Sequence, residues 1–171
     1  MKKVIVILIC CLCVAFIFLN SSKTGVSSNN ISEGIVTRVL TMLKESDYLD
    51  SNIIDRIKQE GITKSDLNIL VRKSAHAFEF FILAVIVFIT INFGKINKVE
   101  AFIYPLFIVL LCAVFDELFQ KYVQGRTSSL IDVLIDFSGG IIGTIVSNIV
   151  FVLGSKLKNK ARKGKFKVSS R

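Results

Sequence analysis

The chain has 171 residues, 52% of them hydrophobic, and a mean hydropathy of +0.62. The apolar residues of this chain form long unbroken runs, which excludes an ordinary soluble domain. The formal net charge is +9, and the stretch 155–171 is rich in Lys and Arg without any acid. A basic block directly after an apolar helix indicates the cytoplasmic side of a membrane and contact with anionic lipid headgroups, rather than nucleic acid. The composition therefore predicts an integral membrane protein.

The first predicted element is a membrane span over residues 4–19, preceded by Met1-Lys2-Lys3. A helix of this length extends roughly 24 Å, slightly less than a hydrocarbon core of about 30 Å. A cleaved signal peptide is the alternative, but the following FLNSSKTG lacks a small-x-small cleavage site and favours an uncleaved helix. Cysteines lie inside the apolar runs, without metal-site spacing, and we interpret them as small apolar residues: Cys10, Cys11, Cys13 and Cys112.

Residues 20–73 are predicted to form a segment on the outer side, beginning with a loop over 20–30. Two short amphipathic helices follow, lying at the interface or packed on the bundle. The first has one apolar face made of Ile31, Ile35, Val39, Met42 and Leu43, and the second repeats the pattern with Ile53, Ile54 and Ile57. A further helix begins near Thr63 or Ser65 and continues through Arg72 into the second span.

The remaining spans are predicted at about 74–93, 100–120 and 130–154. All elements together predict an all-α fold, a polytopic membrane helical bundle of four transmembrane helices with short amphipathic helices on the outer side. Four spans place both termini on one side, which the positive-inside rule makes cytoplasmic. We expect a multi-pass protein of the cell membrane, with one membrane domain over 1–154 and a basic cytoplasmic tail over 155–171.

Charged residues within the spans converge at one depth. Counting about 1.5 Å per residue from the inner end of each span places them all in the outer third of the bilayer. Spacings of three, four or seven residues also put them on one face of each helix. This predicted polar pocket contains Arg72, Lys73, His76, Glu79, Asp116, Glu117, Gln120, Arg126, Asp132 and Asp136. Charges at this depth are costly, which indicates either partners or a task.

Three glycines continue the stripe of Asp132 and Asp136 along the fourth span: Gly139, Gly140 and Gly143. Gly139-x-x-x-Gly143 is a small-xxx-small surface that lets a neighbouring helix approach closely. The pattern predicts a packing surface, and a central position for the fourth span in the bundle.

Three sequence blocks, FLNSSKTGVSSNNIS, RKSAHAFEF and FDELFQKYVQGRTSSLIDVLIDFSGGIIG, resemble the VanZ-like family of bacterial membrane proteins. The family pattern R-K-x-x-H-x-x-E is matched by Arg72, Lys73, His76 and Glu79. The pattern D-E-x-x-Q is matched by Asp116, Glu117 and Gln120, and G-R-x-x-x-x-x-D by Gly125, Arg126 and Asp132. The resemblance implies a small helical membrane protein related to one linked to teicoplanin resistance. The SSKTG and the basic tail depart from the family's usual pattern.

Three functions remain open from the sequence. Arg72, Lys73 and Arg126 are suited to hold phosphate oxygens of a lipid-linked cell-wall precursor or another anionic lipid. An enzyme would use His76 beside Glu79 as a general base or nucleophile. Alternatively, it would use Mg²⁺ held by the carboxylates, and no other cofactor is predicted. In a structural scaffold, the ion pairs would only fix helix packing. A transporter is less favoured, and the sequence leaves the oligomeric state and the ligand open.

Overall fold

The computed structural model of the protein describes residues 2–45, 61, 63–94 and 96–168. Within these ranges all regular structure is helical, and the helices are α1 (Lys2–Ser21), α2 (Gly25–Glu45), α3 (Lys64–Asn92), α4 (Lys98–Gln120) and α5 (Leu130–Val168). The predicted second amphipathic helix, with Ile53, Ile54 and Ile57, lies outside the described residues.

Four of these helices are long and apolar enough to cross a membrane: α1, α3, α4 and the first part of α5, up to Lys158. This confirms the predicted all-α bundle with four transmembrane helices. The helix predicted to continue through Arg72 into the second span is the single helix α3. Helix α5 continues without a break through residue 154, where the membrane domain was predicted to end. The division into a membrane domain and a cytoplasmic tail stays a prediction.

The starts of α3 and α4 are set by local side-chain hydrogen bonds. Thr63 caps α3, because its hydroxyl accepts from the backbone N–H of Asp66 and the Asp66 carboxylate accepts from the backbone N–H of Thr63. Asn97 and Glu100 make the same reciprocal pair at the start of α4. Such capping boxes satisfy backbone donors that the first helical turn leaves without partners. The alternatives Thr63 and Ser65 are thereby resolved in favour of Thr63.

The bundle is organised around α3, which contacts each of the other four helices. Its buried residues, among them Phe80, Leu83 and Val87, make up half of the buried apolar cluster, more than any other helix contributes. Helix α5 contacts α3 and α4 among the described elements, so the central helix is α3 and not the predicted fourth span. The reason is that the α5 contact surface is confined to its glycine side, whereas α3 has neighbours on several sides.

The predicted glycine surface lies at the α3–α5 contact. A Cβ atom added at Gly139 would overlap the backbone carbonyl of Ala77, and one at Gly143 would lie 2.5 Å from the carbonyl oxygen of Phe81. Gly140 lies against the side chain of Val109 in α4. The absence of side chains on these glycines therefore allows the backbone of α5 to touch that of α3, which brings the carboxylates nearer the start of α5 close to α3.

Helix α2 packs against α3 through a small stripe in which Ser32 and Val36 are buried. Its apolar residues Ile31, Ile35 and Val39 are 46–49% exposed and turn away from this contact. Met42 continues the exposed stripe. The helix thus both packs on the bundle and presents an apolar face outward, as expected for a helix beside lipid.

Candidate functional site

Polar side chains from distant parts of the sequence meet at the end of the bundle where α1 and α4 end and α5 begins. Asp116 of α4 is fully inaccessible to solvent. Its Oδ2 atom accepts hydrogen bonds of 2.7 Å from Ser21 Oγ at the end of α1 and from Gln120 Nε2 one turn further along α4. Gln120 Nε2 also donates to Ser21 Oγ at 3.2 Å. These bonds fix the end of α1 against α4.

Two carboxylates hold the start of α5. Glu117 Oε1 accepts a 2.5 Å hydrogen bond from the backbone N–H of Ser129, which directly precedes α5. Lys73 Nζ of α3 lies 2.5 Å from Asp132 Oδ1 in the first turn of α5. Asp136, one turn further along α5, is only 3% exposed. The same residues that orient α5 therefore place three carboxylates beside the cations of α3.

Arg126, in the loop between α4 and α5, is bound through neutral oxygens. Its Nη1 donates to Gln120 Oε1 at 3.2 Å, and its Nε donates to the backbone carbonyl of Lys23 at 3.3 Å. Burial lowers the pKa of Arg126 from its ordinary value, and repulsion by Arg72 lowers it further. Even so, an arginine stays charged at physiological pH. Arg126 is thus a cation held in place without neutralisation by its hydrogen-bond partners.

Arg72 on α3 is arranged in the same way. Its Nη1 donates to the amide oxygen of Asn29 on α2 at 2.9 Å. Among the described residues, neither Arg72 nor Arg126 forms a salt bridge with a carboxylate. Two guanidinium groups with neutral hydrogen-bond partners therefore lie next to each other at this end of the bundle, and their donor groups are suited to an anion.

His76 and Glu79 form a pair on one side of α3. His76 Nδ1 lies 3.6 Å from Glu79 Oε2, and both atoms are buried without a hydrogen-bond partner among the described residues. The other carboxylate oxygen of Glu79 accepts a 2.6 Å hydrogen bond from Asn20 Nδ2. Lys23 Nζ in turn donates to Asn20 Oδ1 at 2.9 Å. The end of α1 thus orients Glu79 beside the imidazole.

Two cavities lie on either side of Arg72, His76 and Arg126, which contribute to both. The first, here called the polar cavity, has a volume of about 60 Å³ and also contacts Lys73 and Gln120. Its carboxylates are Glu117, Asp132 and Asp136. The second, here called the α2-side cavity, has a volume of about 130 Å³ and lies between the end of α1, α2 and α3. Each volume exceeds the space that one water molecule needs.

The model of one protein family, described as VanZ/LLP1, matches residues 5–151. The chain belongs to the VanZ/LLP1 family. This confirms the resemblance seen in the sequence blocks, and the match includes the residues that line both cavities. No curated protein and no solved structure matches the chain.

The residues that match the VanZ-like sequence pattern are brought together by the fold. Most of the predicted pocket residues line the polar cavity, and Glu79 lines the α2-side cavity. Asp116 lies beneath them, covered by Ser21 and Gln120. Ligand binding by these residues stays a prediction. The structure shows that they line two cavities, which share Arg72, His76 and Arg126.

Several residues of this region were not among the predicted pocket residues: Asn20, Ser21, Lys23, Asn29 and Ser129. Four of them belong to the family block FLNSSKTGVSSNNIS, whose polar residues follow directly on an apolar run. Their position after the first span could have predicted that they join the pocket, because the end of that span has the same predicted depth as the charges in the other spans. Ser129 contributes only its backbone N–H, which no side-chain pattern indicates.

The carboxylates of the VanZ/LLP1 pattern have separate partners. Asp116 binds Ser21 and Gln120, Glu117 binds the Ser129 backbone, and Asp132 pairs with Lys73. Within the described part of the chain, no three His, Cys, Asp or Glu side chains are grouped as ligands for a metal ion.

Proposed function

We propose that the protein binds the anionic headgroup of a lipid-linked cell-envelope component in the outer leaflet. The observation that supports this best is the pair Arg72 and Arg126, whose guanidinium groups face both cavities and are hydrogen-bonded to neutral oxygens. A guanidinium presents several N–H donors in a planar arrangement that matches phosphate oxygens. Lys73 and His76 line the same polar cavity and add donors beside them.

The carboxylates have a complementary role in this proposal. Asp132 pairs with Lys73, so this cation keeps a fixed position before the ligand arrives, and Glu79 lies beside His76. Glu117 and Asp136, on the polar cavity, are suited to accept hydrogen bonds from hydroxyl or amide groups attached to the phosphate. A sugar phosphate or a peptide-bearing phosphate offers both kinds of group.

The cellular role follows from topology and family. The basic residues of α5 beyond the apolar part, with Lys2 and Lys3, support a topology with both termini in the cytoplasm, and in that topology the candidate site faces the outer side of the cell membrane. Lipid-linked wall precursors are displayed at that face. Membership of the VanZ/LLP1 family supports a contribution to glycopeptide resistance of the teicoplanin type, through this binding.

Binding is tested with the purified protein in nanodiscs and a polyprenyl phosphate, by native mass spectrometry. Arg126→Gln is expected to weaken binding by roughly ten- to a hundred-fold, because a charge-assisted hydrogen bond contributes about 1.5–3 kcal/mol. Arg38→Gln, which changes the same charge at an exposed position of α2, is the matched control. Equal binding by both variants, in folded protein, would contradict the proposal and favour a structural scaffold.

The resistance role is tested separately in a sensitive Gram-positive host. Wild type and His76→Ala are expressed at matched membrane levels, and susceptibility to teicoplanin and vancomycin is measured. Selective protection against teicoplanin by the wild type, lost in the variant, is the expected result. If neither protein protects, the resistance role is wrong, while headgroup binding stands or falls on the nanodisc measurement.

An enzyme that acts on the bound phosphate is the second candidate. It is favoured by His76, which lines both cavities and lies beside Glu79, an arrangement suited to general acid–base catalysis. Phosphate release from a lipid phosphate, lost in His76→Gln but kept in the presence of a chelator, is the result that would establish this candidate. Release that a chelator abolishes would instead indicate Mg²⁺ held between carboxylates and substrate.

A further inference from the structure

We infer that the ligand is a single-chain lipid phosphate that enters through the α2-side cavity, with its phosphate on Arg72 and Arg126 and its chain along Ile31 and Ile35. This inference rests on the proposed function, because it requires an anionic headgroup at the two arginines. It adds the side from which the ligand enters, the part of the protein that contacts its chain, and the chemical class of that chain.

The α2-side cavity has two chemically different walls. One wall is polar and carries three cations, Lys23, Arg72 and Arg126, together with the imidazole of His76 and the carboxylate of Glu79. The other wall is apolar, with Ile31 and Ile35 of α2 and Val71 and Ala75 of α3. A soluble anion would be bound by the first wall and would gain nothing from the second. A molecule with a charged head and an apolar chain is complementary to both.

Helix α2 leaves apolar side chains exposed at the edge of this cavity. Ser32 and Val36 face α3 and are buried, which leaves Ile31 and Ile35 at the edge of the cavity, 49% and 46% exposed. Val39 and Met42 continue the same stripe beyond the cavity.

The start of α2 is fixed to the site itself. The backbone N–H of Gly25 donates to the carbonyl of Gln124 at 3.1 Å, and a Cβ at Gly25 would overlap the carbonyl of Gly125. Arg126 follows directly in the sequence. Arg72 also bonds to Asn29, in the second turn of α2. The apolar stripe and the two guanidinium groups therefore belong to one connected unit, so a chain and its phosphate would be held together.

The size of the cavity favours one chain. Its volume is about 130 Å³, and its apolar edge consists of two isoleucines on one side of a single helix. A phosphate monoester with one long chain, such as a polyprenyl phosphate, has its charge at the end of that chain, next to this edge. A diacyl phospholipid would have to direct a second chain across the polar wall, where burial of Lys23 and Arg126 against hydrocarbon is costly.

The test compares two positions of the same stripe with nearly equal exposure: Ile35, which lines the cavity, and Val39, which does not. Full-length Ile35→Asn and Val39→Asn proteins in nanodiscs are titrated with a polyprenyl phosphate and, separately, with inorganic phosphate and phosphatidylglycerol. Ile35→Asn is expected to weaken binding of the polyprenyl phosphate about ten-fold and to leave inorganic phosphate unchanged. Val39→Asn is expected to bind all three as the wild type does.

The other outcomes separate this inference from the proposed function. If Ile35→Asn and Val39→Asn have the same effect, or if phosphatidylglycerol binds as tightly as the polyprenyl phosphate, the inference is overturned while headgroup binding remains. If the wild type binds none of these phosphates, the proposed function itself fails. Arg126→Gln, measured beside them, is expected to weaken every phosphate, which shows that the assay reports on the arginines.

Discussion

Ser21 and Asp116 form a fully buried hydrogen bond of 2.7 Å between residues 95 positions apart in the sequence. The bond joins the last residue of α1 to the outer part of α4. A hydroxyl donor in apolar surroundings stabilises a carboxylate that would otherwise lack one of its partners. The end of the first span is therefore part of the polar region, and not merely a connection to the outer segment.

Removal of the Ser21 hydroxyl should destabilise the protein. In Ser21→Ala, Gln120 still donates to the Asp116 carboxylate, but one buried acceptor site loses its partner, at a cost of about 1–3 kcal/mol. Thermal unfolding in detergent measures the change. Ser22→Ala is the control, because the Ser22 hydroxyl is exposed and donates only to the carbonyl of Leu19. Equal unfolding midpoints for the two variants would argue against a structural role for the Ser21–Asp116 bond.

A methyl group at Gly139 should separate α5 from α3. The added Cβ would overlap the backbone of Ala77, which cannot move as a flexible side chain does, so Gly139→Ala is expected to cost about 1–3 kcal/mol. Gly154→Ala is the control on the same helix, since a Cβ there meets no atom within 4 Å. It should be neutral or slightly stabilising, because alanine favours helices more than glycine does. An unchanged Gly139→Ala protein would contradict the close contact.

The ion pair of Lys73 and Asp132 should show coupling in a double-mutant cycle. The side chains are 31% and 29% exposed, so solvent weakens the pair and a coupling energy of about 0.5–1 kcal/mol is expected. Asp132→Asn should cost more than Lys73→Gln, because Asp132 also favours the charged form of Arg126. Thermal unfolding of the two single variants and the double variant measures both effects. Additive costs would show that the pair contributes nothing to the folded state.

The spans and the charged stripes could be predicted because both depend on local information. Long apolar runs indicate membrane helices, and a repeat of three or four residues shows which side chains share a face. Arg72, His76 and Glu79 are on one helix face in any α-helix. Their meeting with Asp116 and Asp132 then follows once the spans alternate in direction.

Contacts between loops and helix ends could not be predicted in the same way. The bonds of Asn20 to Glu79 and of Arg126 to the Lys23 carbonyl connect distant segments without any repeat. The direction of the apolar face of α2 was also open, because apolar residues beside lipid face outward as readily as inward. The buried stripe with Ser32 and Val36 is small, and small residues allow helices in membranes to approach each other.

The loop before Arg126 should require glycine at position 125. Gly125 has φ of +74°, a conformation that costs an ordinary L-residue roughly 1–2 kcal/mol. Gly125→Ala is expected to lower the unfolding midpoint and to weaken phosphate binding, because Arg126 follows directly. Gly125→Asn should have the smaller effect, since asparagine adopts this conformation more readily than alanine. Similar losses in both variants would indicate that the contact of Gly25 with Gly125, and not the backbone conformation, is decisive.

The proposed topology predicts which positions react with an impermeant maleimide in intact cells. Cys10, Cys11, Cys13 and Cys112 are first replaced by alanine, and single cysteines are then introduced at two exposed positions. Tyr122→Cys, in the loop between α4 and α5, should be labelled from outside, because Tyr122 is 85% exposed. Lys160→Cys, beyond the apolar part of α5, should be labelled only after permeabilisation. The reverse pattern would place Arg72 and Arg126 at the cytoplasmic leaflet, where the ligand would have to be an inner-leaflet lipid phosphate.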